Sequence, residues 1–125
     1  MAALQAALPN AFFQWPNNAT LTLIRRRRTH QGEFARTSTR NQRALWRAIR
    51  NEVRAAHPNF APTIDQCRNK WNSLTSGYRN LEILLANNPY NYPTHTPTLH
   101  DERFHNELSD VFWLTERNYL LLNFY

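Results

Sequence analysis

The longest periodic stretch of the chain, residues 63–86, repeats apolar side chains at alternating intervals of three and four: Ile64, Cys67, Trp71, Leu74, Tyr78, Leu81 and Leu85. That interval is the period of one buried face of an α-helix. At its start Thr63 and Gln66 match the S/T-x-x-E/Q box, in which each side chain satisfies a backbone N–H of the first turn, and Asp65 lies in the electropositive first turn. The pattern predicts a helix of ~35 Å at 1.5 Å per residue, weakened internally by Gly77 and stopped by Asn87, Asn88 and Pro89. On its other side Arg68, Asn69, Asn72, Ser73, Ser76 and Arg79 are polar or basic, with no acid among them.

Three more helices follow from the same reasoning. Asn17 and Asn18 are placed to cap a first helix from Ala19 to about His30, carrying Leu21, Leu23 and Ile24, with Trp15 folding back onto it. Residues 31–40 read as a loop anchored by Phe34, after which Thr39 and Gln42 form a second capping box. The helix starting there buries Leu45, Trp46, Ile49 and Val53 and ends near Ala56, because Pro58 disfavours helical geometry at His57. Its second stripe is Arg43, Arg47, Arg50 and Arg54, with Glu52 as the nearby counterion on the helix. Residues 89–98 read as a proline-punctuated loop whose Tyr90 and Tyr92 pack back on the domain. A short amphipathic fourth helix then runs from Asp101 to about Leu114, burying Phe104, Leu108, Val111 and Phe112. Leu81, Ile83, Leu84 and Leu85, at the end of the third helix, are expected to hold it.

Charge changes this picture from a generic bundle to one with a polarised surface. Residues 1–80 carry thirteen basic and three acidic side chains, whereas residues 81–125 carry two basic and six acidic ones. Such a distribution is an electrostatic footprint for a polyanion, although acidic proteins and membrane surfaces also dock on basic patches. The run Arg25, Arg26, Arg27 and Arg28 wraps a whole helical turn at roughly 100° per residue, so its members cannot all face one partner. It complements the macrodipole at a helix C-terminus, and it also fits phosphate contacts or a short nuclear-import signal.

Other chemistry finds little support. The single Cys67 falls within an apolar stripe, which excludes an internal disulfide and points to a buried thiol in a reducing compartment. The five histidines lack metal-ligand spacing: His95, His100 and His105 are five apart, and His30 and His57 stand alone. With only Gly32 and Gly77 there is no phosphate-cradling loop, and no nucleophile, base and orienter come together, so neither an enzyme, a cofactor nor a small-molecule substrate is expected. Residues 1–13 lack the positive start of a signal peptide and read as a flexible arm, and no run of about 18 apolar residues is present to span a membrane.

Trp15, Leu23, Ile24, Phe34, Leu45, Trp46, Ile49 and above all residues 66–78 (QCRNKWNSLTSGY) resemble the Myb/SANT-like DNA-binding domain of the trihelix type. The resemblance covers roughly residues 13–86, and the helix at 101–114 is similar in position to the fourth helix of trihelix proteins. It implies an all-α fold: a three-helix helix-turn-helix bundle, here over residues 14–86, anchored by Trp15, Trp46 and Trp71, with its third helix in the DNA major groove. A loop (87–98), then the fourth helix and an apolar tail (99–125), complete the chain. The poverty of acids in helix 1 departs from many relatives.

On this reading Arg68, Asn69, Asn72, Ser73 and Ser76 contact base edges, since Asn pairs with adenine and Arg with guanine. Arg43, Arg47, Arg50, Arg54, Lys70, Arg79, Arg27 and Arg28 contact phosphates. The expected partner is double-stranded DNA in the nucleus, for a transcription regulator or a transposon-derived protein, with a protein partner or self-association through the C-terminal region. The alternative is a SANT/MADF-like module that binds chromatin proteins or histone tails without reading DNA.

Overall fold

A computed structural model describes the backbone over residues 13–87 and 99–114, and side chains over 13–84 and 103–114. Within these residues the chain is all-helical: α1 (Asn17–Thr29), α2 (Gln31–Arg36), a 3-10 turn (Thr39–Asn41), α3 (Arg43–Ala56), α4 (Ile64–Asn87) and α5 (Leu99–Leu108). The expected N-terminal arm as far as residue 12, the Tyr90 and Tyr92 loop and the apolar tail lie outside the described residues. Two compact units divide between Trp71 and Asn72, within α4.

In the first unit α1 packs against α3. Leu23, Ile24, Ile49 and Val53 are fully buried, each stabilising the fold by roughly 1.5–3 kcal/mol relative to an exposed side chain. α3 ends at Ala56, and its last turn continues into a tight connection: the His57 N–H donates to the Val53 carbonyl (2.9 Å) and the Phe60 N–H to the His57 carbonyl (2.9 Å). The Arg54 Nε donates to the Pro62 carbonyl at 3.0 Å and fastens this turn. The capping box that opens α4 is formed in both directions, Gln66 N–H to Thr63 Oγ1 at 3.0 Å and Thr63 N–H to Gln66 Oε1 at 2.9 Å. α3, this turn and the first turns of α4 make the helix-turn-helix.

Four local expectations are corrected. α1 begins two residues early, capped by the extended backbone of Pro16, so the two asparagines sit in its first turn; the fixed φ of proline suits a helix start. The expected loop at residues 31–40 contains α2, whose Gln, Glu, Ala and Arg are strong helix formers in a segment too short to show a period. The second capping box does not form. Gln42 precedes α3 without a side-chain cap, and its amide donates to the carbonyls of Thr37 (3.1 Å) and Phe34 (3.4 Å) at the end of α2, the second of which also accepts the Thr37 N–H (3.3 Å). Finally, α5 stops at Leu108, six residues before the expected end: Val111 takes a positive φ of 45°, unfavourable for a β-branched residue, and Val111 and Phe112 lie beyond the helix, half-buried.

The aromatic core also differs from a triad of tryptophans. Trp46 and Trp71 are buried, and Trp46 meets Phe34 edge-on at 5.1 Å. Trp15 is half-buried, against Phe60 at 4.7 Å and Phe13 at 6.2 Å. In the second unit Tyr78, Leu81, Phe104 and Leu108 are buried, while Ile83 and Leu84 are half-buried. Here α4 meets α5 through Tyr78 stacked on His105 (5.1 Å) and His105 Nε2 bonded to Glu82 Oε1 (2.5 Å). Burial, followed by the neighbouring Glu82 carboxylate, pushes the Tyr78 hydroxyl up to about 12.

Candidate nucleic-acid interface

α4 presents two faces set by its 100° step. Ile64, Cys67, Trp71, Leu74, Tyr78 and Leu81 are buried, whereas Asp65, Arg68, Asn69, Asn72, Ser73, Ser76 and Arg79 are exposed and fall within an arc of about 140° on the opposite side. All five expected base-contacting residues therefore share one solvent-facing stripe. Lys70 is half-buried at the edge of that stripe. Burial raises the Cys67 thiol to about 12 despite Arg50 and Arg54 nearby, which keeps it protonated and inert.

The arginines of α3 meet different fates. Arg47 is exposed, and Arg50 is half-buried with its Nε bonded to Asn51 Oδ1 (3.1 Å). Arg54 is occupied by the Pro62 carbonyl. Arg43 pairs with Asp65 Oδ1 at 3.2 Å, and the same oxygen takes Arg68 Nη2 at 3.4 Å. All three side chains are about half exposed (59%, 52% and 50%), so each pair contributes only about 0–1 kcal/mol to stability.

Arg27 leaves the expected phosphate-contacting set. It is 7% exposed, its guanidinium lies 3.8 Å from the centroid of Phe34 and 5.2 Å from that of Trp71, and its Nη1 donates to Gln31 Oε1 (2.5 Å). Its Nε has no partner among the described residues, and desolvation by burial brings its pKa down to about 10. It remains charged at neutral pH, held by aromatic faces rather than by an anion. Arg28, the next residue, is exposed.

Sequence reasoning missed a polar junction at the end of α1. His30 links Glu33 (Nδ1 to Oε1, 2.9 Å) with Glu52 of α3 (Nε2 to Oε1, 2.9 Å), and Arg26 Nε lies 4.0 Å from the Glu52 carboxylate. Burial works against charge on His30, but the two carboxylates outweigh it and raise the pKa. The spacing of His30 and Glu33 was visible; the long-range partner was not. His57 bonds Thr22 Oγ1 at 2.7 Å.

Among the described residues no three His, Cys, Asp or Glu side chains are grouped to hold a metal ion, and no helix is long and apolar enough to cross a membrane. His95 and His100 fall outside the described side chains.

No curated protein and no solved structure matches this chain. A family model does: the Myb/SANT-like DNA-binding domain aligns with residues 13–106, reaching from the Phe13 and Trp15 cluster through α4 and into α5. With its helix-turn-helix, its polar stripe and three quarters of its length covered by that match, the chain belongs to the Myb/SANT-like DNA-binding domain family, whose partner is DNA.

Proposed function

We propose that this protein binds duplex DNA with sequence preference, laying the exposed stripe of α4 in the major groove, and that it acts in the nucleus as a transcription regulator or as the DNA-binding part of a transposon-derived protein. The observation that carries this reading is the stripe itself. Over four helical turns it offers two guanidiniums, two primary amides and two hydroxyls to a groove that presents donors and acceptors in a base-specific pattern. Its one carboxylate, Asp65, is already neutralised by Arg43 and Arg68.

Exposed Arg28, Arg47 and Arg79, with Arg43, Arg50, Arg54 and Lys70, supply the phosphate grip. Neutralising about six phosphates gives a log–log slope of affinity against salt near −5. Selection from random duplex oligonucleotides, followed by binding titrations between 50 and 200 mM salt, tests both halves of the reading. Enrichment of a defined site with a steep slope supports it. A slope near zero and no enriched site would instead indicate a protein-binding module.

A further inference from the structure

Asp65 is an acid in the wrong place for a surface that grips a polyanion. By the helical step it lies within the arc that holds Arg68, Asn69, Asn72 and Ser73, and between Ile64 and Leu81 it is the sole carboxylate of α4. A bare carboxylate there repels phosphate. The other acids of residues 1–80, Glu33 and Glu52, are drawn together by His30, whereas Asp65 Oδ1 stands between Arg43 of α3 and Arg68 of α4.

Exposure rules out stability as the main consequence of these pairs, since an ion pair this open shifts an equilibrium by a factor of about five at most. Geometry suggests another. A guanidinium is a planar fork with five N–H donors, and the Asp65 pair engages only Nη2 of Arg68. Both forked edges of the guanidinium, Nε with Nη2 and Nη1 with Nη2, include Nη2, which carries two N–H groups; the one that Asp65 does not take remains, with the N–H beside it, an edge for another acceptor. A fork held at one corner loses less freedom on meeting the two acceptors of a guanine edge, and it is kept from swinging to the nearest phosphate.

Building on the reading of α4 as the groove-facing helix, we infer that Asp65 is a positioning residue for specificity: it braces Arg68 for base reading, with Arg43 neutralising the carboxylate from α3. Asp65 lowers binding to arbitrary DNA and leaves binding to the preferred site intact, so its product is discrimination rather than affinity. Arg43 acts first as the counterion of this brace and only secondarily on phosphate.

The test compares wild type, D65N, R68A and the double variant D65N/R68A on the duplex that wild type enriches and on a scrambled duplex. Circular dichroism melting verifies the fold, with Asp65→Ser as a second variant should D65N not fold. D65N is expected to bind scrambled DNA about two- to five-fold more tightly while its affinity for the enriched duplex holds or falls, so that the ratio drops. In the R68A background D65N should leave the ratio unchanged. An equal gain on both duplexes marks plain removal of a repulsive charge and overturns the inference, as does a ratio that falls equally in the R68A background. Wild-type protein that enriches no site overturns the reading of α4 itself, and this inference with it.

Discussion

The arginines of α1 and those of α3 are the same residue in two arrangements, and the arrangement decides what each does. In α3 the intervals are four, three and four, so Arg43, Arg47, Arg50 and Arg54 stay off the stripe that buries Trp46, Ile49 and Val53. In α1 four arginines are consecutive, and a helix distributes them around its axis. One of them must then fall on the core side. Arg27 is that one, four residues after the buried Leu23 and three after the buried Ile24, and it ends over Phe34 and near Trp71. A run of charge is thus a weaker sign of a binding surface than a spaced row, because the run guarantees that some members face inward.

The most severe way to break this contrast is to remove what Arg27 rests against. Trp71→Ala deletes a side chain that is 5% exposed, and a large-to-small change at such a site costs about 3–5 kcal/mol. Urea unfolding should show the domain largely unfolded; retention of most of its stability would mean that Trp71 is not a core anchor.

Removing Arg27 is the next largest perturbation. Arg27→Ala gives up a desolvated cation–π contact and leaves a gap, with an expected loss of about 2 kcal/mol. Arg27→Met refills the volume without a charge to bury and should recover most of that loss. Neither change should alter the salt slope of DNA binding. If Arg27→Met lowers the slope as an exposed arginine would, Arg27 reaches phosphate after all and the contrast with α3 fails.

Arg47→Ala is the mirror image. Arg47 is exposed on α3, so its removal should leave the melting transition within the ±0.5 kcal/mol of an ordinary surface change. The salt slope should become shallower by about 0.9, the loss of one phosphate. Unfolding and filter-binding titrations on the same preparation read both quantities.

These fates were partly written in the sequence. The period of residues 63–86 and the Thr63 and Gln66 box gave α4 to within one residue at each end, because a long amphipathic helix repeats its signal many times. The Thr39 and Gln42 box matched the same motif and failed, since the Gln42 amide bonds the carbonyls of Phe34 and Thr37 at the end of α2 instead. That competition needs α2, which is too short to announce itself. The inward place of Arg27 could have been read from its spacing to Leu23 and Ile24, but a residue type so rarely buried invites the opposite reading. Asp65 was legible as a helix-start acid, whereas its pairing with Arg43 depends on how α3 meets α4 in space. The same holds for His30 and Glu52, which are 22 residues apart.

That last pair joins the two arginine-bearing helices and gives the smallest of the expected effects. His30 caps the end of α1 and reaches Glu52 on α3 and Glu33 on α2, with Arg26 also close to Glu52. Desolvation opposes its protonation, but the two carboxylates prevail and its native pKa stands above 6.5. The native state therefore holds the proton more tightly than the unfolded chain does, and stability falls with rising pH wherever that difference operates. The contribution is complete below about 6.5, the unfolded value, and disappears as pH rises through the raised native value. Melting temperature should accordingly decline over that interval for the wild type. Glu52→Gln removes the stronger of the two raising partners and should flatten the decline, whereas Arg47→Ala, on the same helix but away from His30, should leave it intact. A decline of equal size in Glu52→Gln would place its origin in another titrating group and detach the end of α1 from the arginine-bearing helix α3.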